Sequence, residues 1–397
     1  MTSGKKKILG FGSALLDVLA NVEDDYLKTV GGEKGGMVMI DAKTADHLSA
    51  TLPSTRKVVG GSAANTIAGL QKLGMKTAFL GKVGNDAEGD FYRAEFERMG
   101  GDASRFKTVA DVRTGRCISL ITPDSERTMR TDLGAAATFK VTEITAEDFR
   151  GISHVHVEGY MLFNMDVFLH VLKLAKDHGA TVSLDLASFE VVRIFRDKLD
   201  DILRRYVDVV FANEDEAREF LGVKDEIDPV QAADALLEFC GTAAVKLGKR
   251  GAYIKSAKET AAVSSELVTA IDTTGAGDLW QAGFLYAWLN GYSLETAGKM
   301  GAILGAEVVQ VIGAAIPPFR WDNRSTGSVY RLQSPRHRSC RSRAQGTRHR
   351  RTRNARSDGR PRKIRKGKTA QGRQDHGKSP HDNPDCRPDR NPRGTRR

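Results

Sequence analysis

The stretch Ile271-Asp-Thr-Thr-Gly-Ala-Gly-Asp278 gathers residue types suited to handling a transferring anion. Two glycines and an alanine leave the backbone N–H groups unobstructed. The apolar run Leu279–Leu289 that follows reads as a buried helix stopped at Asn290-Gly291. Several amides converging on one point, reinforced by the helix dipole, form an anion hole of the kind that stabilises charge developing on a phosphoryl group. Asp278, at the start of that helix, has the chemistry to accept the proton of an attacking hydroxyl. The plainer alternative is that Asp278 only caps the helix after a glycine turn.

A second glycine-rich turn lies upstream, Val58-Val-Gly-Gly-Ser-Ala-Ala-Asn-Thr66, and leads into a helical stretch ending near Leu73. Gly60 and Gly61 permit close approach of a ligand, and the Asn65 amide, in the first helical turn, has the reach for a sugar hydroxyl. An ordinary helix cap by Ser62 is the competing reading. Asp17, shortly after the first strand, could accept hydrogen bonds from two adjacent hydroxyls, or stand as a solvated loop carboxylate. Two familiar nucleotide patterns fail. Gly10-Phe-Gly-Ser-Ala-Leu15 lacks the third small residue of the dinucleotide fingerprint. Gly372-Arg-Gln-Asp-His-Gly-Lys-Ser379 matches the P-loop spelling, but it follows an Arg/Lys-rich segment rather than a buried strand, and Pro380 comes next.

These residues need a scaffold. Short apolar runs at Lys7–Gly12, Thr77–Gly81, His154–Val157, Thr181–Leu184, Val207–Phe211 and Ala243–Leu247 alternate with helix-period segments. Those segments are Ser62–Leu73, Glu88–Met99, Asp166–His178, Glu214–Leu221 and Val230–Phe239. The alternation predicts a mostly parallel sheet covered by helices, with strands apolar on both faces. Met37–Ile40 and a hairpin, Arg116–Ile121 with Arg127–Thr131, interrupt the pattern and read as a small β insertion, a lid with segments at about 34–41 and 112–132.

Charge divides the chain of 397 residues, whose formal net charge is +11. Residues 321–397 hold 24 basic and 6 acidic side chains, a net of +18, and only 10 hydrophobic residues. The first 320 hold 37 basic and 44 acidic, a net of −7. The expected organisation is therefore a globular body over 1–320 and an Arg-rich tail over 321–397. The tail is too poor in apolar residues to order itself. It reads either as a nucleic-acid arm or as a non-native end, such as a shifted reading frame produces. No run approaches the ~18 apolar residues of a membrane span, and the N-terminus lacks the long apolar core of a signal peptide. Cysteines 117, 240, 340 and 386 are widely spaced, which fits reduced thiols in the cytoplasm.

Gly-Gly-Ser-Ala-Ala-Asn-Thr at 60–66 with Asp-Thr-Thr-Gly-Ala-Gly-Asp at 272–278 resembles the paired signatures of the PfkB-type carbohydrate kinases, the ribokinase-like superfamily. Asn213-Glu-Asp-Glu216 resembles that family's N-x-x-E motif, and Lys246-Leu-Gly248 its nucleotide-site strand end. The resemblance runs from about Lys7 to about Trp321. It implies a three-layer α/β/α sandwich with a mostly parallel central sheet and a small β-sheet lid. It also implies ATP-dependent phosphorylation of a hydroxymethyl group with Mg²⁺, and a monovalent cation is a further candidate cofactor. Asp278 becomes the general base, and the amides of Gly275, Ala276 and Gly277 the anion hole. Ser13, Asp17, Gly61 and Asn65 become acceptor-binding residues, joined by Arg127 from the lid. Asn213, Lys246, Gly248 and Thr274 fall at the nucleotide, and Glu216 serves Mg²⁺ through water. Gly12–Asp17, Thr128–Ala135 and Glu158–Phe163 are similar to the adenosine-kinase-like branch, whose base slot Leu15, Met37, Met129, Tyr160 and Phe163 would supply. A free sugar such as ribose or fructose is the alternative acceptor, and the expected state is a monomer or homodimer.

Overall fold

The computed structural model describes residues 6–52, 55–317 and 320–321. Six parallel strands form the heart of an eight-stranded sheet. In spatial order they are Thr242–Lys246, Val209–Asn213, Thr181–Asp185, Ile152–Glu158, Lys7–Phe11 and Lys76–Leu80. Two antiparallel strands, Ala252–Ser256 and Thr260–Val263, extend the Thr242–Lys246 edge. Each central strand is buried on both faces. Leu9 and Phe11 enter one core while Ile8 enters the other; Val210 and Ala212 part from Val209 and Phe211 in the same way. That two-sided burial is why these strands read as continuous apolar runs.

Helices Met165–Asp177, Phe189–Tyr206, Glu214–Leu221 and Pro229–Leu237 cover one face. Helices Ser62–Lys72, Ala87–Arg98, Ala276–Leu289 and Leu294–Val308 cover the other. The three layers of the expected sandwich are present. Helix Phe189–Tyr206 and strands Leu15–Asn21, Arg56–Gly60, Ala252–Ser256 and Thr260–Val263 were not among the expected elements.

The lid is larger than a hairpin. It is a five-stranded sheet in the order Met37–Met39, Arg127–Gly134, Thr114–Ile121, Leu15–Asn21, Arg56–Gly60, with its own apolar cluster around Val18, Leu27, Leu48, Ile118 and Leu120. Its ends touch the body. Thr273 Oγ1 donates to the Ser125 carbonyl at 3.0 Å, Ser125 Oγ to the Ala270 carbonyl at 3.1 Å, and Met37 N–H to Glu190 Oε1 at 3.2 Å.

Trp321, which composition assigns to the tail, is buried in the second core and donates its indole N–H to the Ile316 carbonyl at 3.0 Å. The body therefore includes it. The expectations for the rest of the basic tail, with its P-loop spelling, Cys340 and Cys386, lie outside the described residues. Cys117 and Cys240 are free thiols. Among the described residues, no helix is long and apolar enough to cross a membrane.

Candidate active site

Chemically useful side chains collect at the carboxyl ends of neighbouring parallel strands, the edge at which open α/β sheets bind ligands. Glu158, Asp185, Asn213 and Lys246 each close their strand. In the ladder Glu158 faces Asp185, and Asn213 faces Lys246.

Asp278 is the third residue of helix Ala276–Leu289, and its side chain caps nothing. Gly275 occupies the cap position with φ 75°, and a Cβ there would lie 2.5 Å from Ala314 Cβ, so only glycine fits. The Asp278 carboxylate instead accepts two hydrogen bonds from helix Ser62–Lys72. Ser62 Oγ donates to Oδ1 and Asn65 Nδ2 to Oδ2, each at 2.8 Å. Thr66 Oγ1 donates to the Asp278 carbonyl at 3.1 Å. Burial raises the Asp278 pKa, the Asn65 hydrogen bond opposes the rise, and Asp185 adds to it. The helix-capping alternatives for Asp278 and Ser62 are corrected: Gly61 and Gly275 are the cap residues, and both side chains are free for the site.

Asp272 holds the glycine turn. Its Oδ1 accepts from Thr274 N–H at 2.8 Å and Thr274 Oγ1 at 2.6 Å, and its Oδ2 from Gly313 N–H at 2.7 Å. Thr274 is fully buried with its hydroxyl committed to Asp272. A Cβ on Gly277 would lie 3.3 Å from Lys246 Nζ, which places that ammonium beside the glycine turn. Lys246 Nζ pairs with Asp185 Oδ1 at 3.1 Å. Burial alone would lower the Lys246 pKa, but Asp185 and Glu216 outweigh it and the net direction is up. Glu216 and Asn213 form a capping box: Glu216 Oε1 and Oε2 accept from the Asn213 amide and backbone N–H, each at 2.8 Å. Burial pushes the Glu216 carboxyl up to about 7, against the opposing pull of Lys246. Gly248 begins a single turn, Gly248–Arg250, two residues beyond Lys246.

Over Asp278 lies a cavity. Its polar lining comprises Ser13, Asp17, Gly61, Ser62, Asn65, Arg127, Thr131, Glu158 and Asp278. Its apolar lining comprises Leu15, Met37, Met39, Met129, Leu133, Tyr160 and Phe163, with the Cys117 thiol beside them. Every acceptor residue expected from sequence meets in this one space. Asp17 is on strand Leu15–Asn21 rather than in a solvated loop. It is buried, and burial pushes its carboxyl up to about 7, with Arg127 opposing and Asp278 reinforcing. Gly61, at φ 100°, passes so close to the loop residue Ser13 that a Cβ would lie 2.2 Å from its carbonyl oxygen. Asn65 differs from expectation in one respect: its amide N–H is turned onto Asp278. Sequence reasoning gave no role to Glu158, Asp185 or Asp272.

Residues 33–321 match the family model described as pfkB family carbohydrate kinase. The chain is 31% identical over 247 residues to a protein of Archaeoglobus fulgidus described as an uncharacterized sugar kinase, covering 62% of this chain and 96% of that one. It is 28% identical over 331 residues to adenosine kinase of Saccharomyces cerevisiae, covering 77% and 95%. The structure of adenosine kinase from Sinorhizobium meliloti superposes with a TM-score of 0.76 at 29% identity, covering 83% of this chain and 100% of that one. With its ribokinase-like sandwich, its lid and its paired glycine turns, this chain belongs to the pfkB family of ATP-dependent carbohydrate and nucleoside kinases, which phosphorylate a hydroxyl group.

Proposed function

We propose that the acceptor is adenosine and that its 5′-hydroxyl receives the γ-phosphoryl group of ATP. The observation that carries this reading is the make-up of the cavity over Asp278. Met37, Met39 and Met129 and the rings of Tyr160 and Phe163 line it together with Leu15 and Leu133, beside the polar group of Asp17, Asn65 and Arg127. A free pentose or hexose presents hydroxyls on every side and leaves such an apolar lining unused. A purine nucleoside has a flat base for the apolar side chains and a ribose for the polar ones.

In this reading Asp17 accepts hydrogen bonds from the ribose hydroxyls, while Ser13, Gly61 and Asn65 shape the sugar end. Ser62 and Asn65 hold the Asp278 carboxylate, which takes the proton as the 5′-oxygen attacks the γ-phosphorus and ADP departs. The amides of Gly275 and Gly277, with Lys246 and Arg127, meet the charge that develops on the transferring group; the Ala276 N–H, expected from sequence to join them, donates instead to the Thr273 carbonyl at 3.1 Å. Phosphoryl transfer asks for positioning and charge stabilisation, and this constellation consists of little else.

The donor set fits Mg²⁺ held mainly by phosphates and water. The oxygens of Glu216 are both engaged by Asn213, and among the described residues no group of three or more acidic, His or Cys side chains is gathered for an ion. Glu216 and Asn213 would act through water, and the ion would supply charge neutralisation to the ATP phosphates. Thr274 and Gly248 would frame the nucleotide through backbone rather than side chain. The test is direct: the purified full chain, with ATP and MgCl₂, is expected to convert adenosine to its 5′-monophosphate with one ADP formed per product. Failure to form that product while ribose is phosphorylated would overturn the acceptor assignment.

A further inference from the structure

We propose that Glu158 is a positioning residue that clamps together the two loops carrying the acceptor-binding side chains. Its carboxylate bridges two segments that are distant in sequence. Oε1 accepts the Ser13 backbone N–H at 2.7 Å and Oε2 accepts the Ala63 backbone N–H at 2.9 Å. The first loop leads from strand Lys7–Phe11 into the strand of Asp17. The second opens the helix of Ser62 and Asn65, which hold Asp278. Glu158 is 1% exposed, and a Cβ on Gly12 would lie 2.4 Å from Oε2, so the loop is packed directly onto the carboxylate.

Both bonds require an acceptor, and only a carboxylate offers one on each oxygen. A buried carboxylate answered by two backbone donors is costly to replace, because loss of one partner leaves a desolvated N–H unpaired. The arrangement also explains a carboxylate on the cavity wall that faces the backbone of the acceptor loops. Fixing Ser13 and Ala63 together fixes the separation of Asp17 from Asn65 and Asp278, and hence the width of the acceptor site. ATP, bound by elements farther along the sheet edge, is not reached by this clamp.

Several titratable groups bear on Glu158. Asp278 comes from helix Ala276–Leu289, Tyr92 from helix Ala87–Arg98, and Asp185 faces it in the neighbouring strand. Asp17 and Arg127 from the lid line the same cavity. Burial pushes the Glu158 carboxyl up to about 7, while the Ala63 and Ser13 amides pull it down.

The inference rests on the assignment of this cavity to the acceptor, and the experiment separates the two. The wild-type chain is assayed first with ATP, Mg²⁺ and adenosine; absence of turnover would count against the assigned acceptor and so remove the basis of the clamp. Glu158→Gln keeps the shape of the side chain but turns an amide NH₂ toward one of the two backbone donors. The expected result is at least a tenfold rise in KM for the acceptor, with KM for ATP changed less than twofold. The acceptor KM of the variant is expected to depend less on pH between 6 and 8 than that of wild type. Hydrogen exchange of the Ser13 and Ala63 amides, measured on the folded variant, is expected to accelerate while the sheet amides stay protected. An unchanged acceptor KM, a parallel rise in both KM values, or unaltered exchange at Ser13 and Ala63 would overturn the proposal.

Discussion

The Asn65 amide donates to Asp278 Oδ2 at 2.8 Å, across 213 residues of chain. This bond joins the two glycine-turn motifs into a single device: the helix of the first turn orients the carboxylate of the second. With Ser62 on the other oxygen, Asp278 presents a defined face to the cavity although burial opposes its charge.

Removing that donor has a predictable sign. A hydrogen bond to the charged form favours ionisation, so Asn65→Ala raises the Asp278 pKa further. The acidic limb of the kcat–pH profile is expected to move to higher pH in Asn65→Ala, with kcat reduced at neutral pH and partly restored as pH rises. A limb that stays in place, or moves to lower pH, contradicts the role given to Asn65.

Asp278→Asn is expected to fold. Its carbonyl oxygen faces Asn65, and the Ser62 hydroxyl turns to accept from the new amide. The variant lacks only the proton acceptor, whose removal typically costs about 10²–10⁴ in rate. We expect kcat to fall at least a hundredfold with an unchanged melting temperature. A folded variant retaining more than about a tenth of wild-type kcat, with chemistry limiting turnover, would remove Asp278 from the base role.

Two glycines with positive φ provide a matched stability test. Gly222, at φ 66°, has open space around an added Cβ, so Gly222→Ala carries only the left-handed backbone penalty of about 1–2 kcal/mol. Gly61→Ala adds a collision 2.2 Å from the Ser13 carbonyl oxygen. Urea denaturation is expected to show the larger loss for Gly61→Ala. Equal losses would mean that the two acceptor loops do not pass as closely as described.

Stability on the acid side depends on His154 and His156. Both are buried between strands Ile152–Glu158 and Thr181–Asp185 and share the Ser183 hydroxyl at 2.9 Å; His154 also meets Thr181. Burial lowers both pKa values, His156 to about 4, with Asp185 opposing and Lys246 reinforcing the shift at His156. Below an unfolded-state pKa of about 6.5, the unfolded chain binds protons that the folded one refuses. The stabilisation is therefore complete above that pH and declines as pH falls toward 4, by up to about 1.4 kcal/mol per unit for each histidine. Asp17, Glu158 and Glu216, raised to about 7, act in the opposite sense, contributing less as pH rises through that range. The difference between wild type and His156→Gln isolates the histidine: denaturant titrations are expected to show wild type losing ground to the variant from pH 7 to pH 4.5. A constant difference would show that His156 titrates normally.

The parallel strands were legible because burial on both faces makes them continuous apolar runs, and the glycine turns because their spelling is dense. Asp17 was legible as a candidate cavity residue but not as part of a strand. Leu15–Asn21 is covered on both sides and broken by that aspartate, so neither alternation nor an unbroken apolar run marks it. Its partners, Arg56–Gly60 and Thr114–Ile121, lie far along the chain, and pairing at such distance leaves no local trace. Glu158 and Asp185 carried a usable signal, since each is an acidic residue closing an apolar strand at the edge where such sheets bind ligands. Asp272 was hidden within its motif; its bonds to Thr274 are local, but the one from Gly313 depends on a loop that returns 41 residues later.

The proposed acceptor for the cavity over Asp278 is a purine nucleoside. The most direct measurement is kcat/KM for adenosine against ribose and fructose, at saturating ATP and Mg²⁺, on the same preparation of the full chain. If the apolar lining of Met37, Met129, Tyr160 and Phe163 receives the base, adenosine exceeds both sugars at least tenfold. Equal or reversed preference would contradict the nucleoside assignment and reassign the cavity to a free sugar.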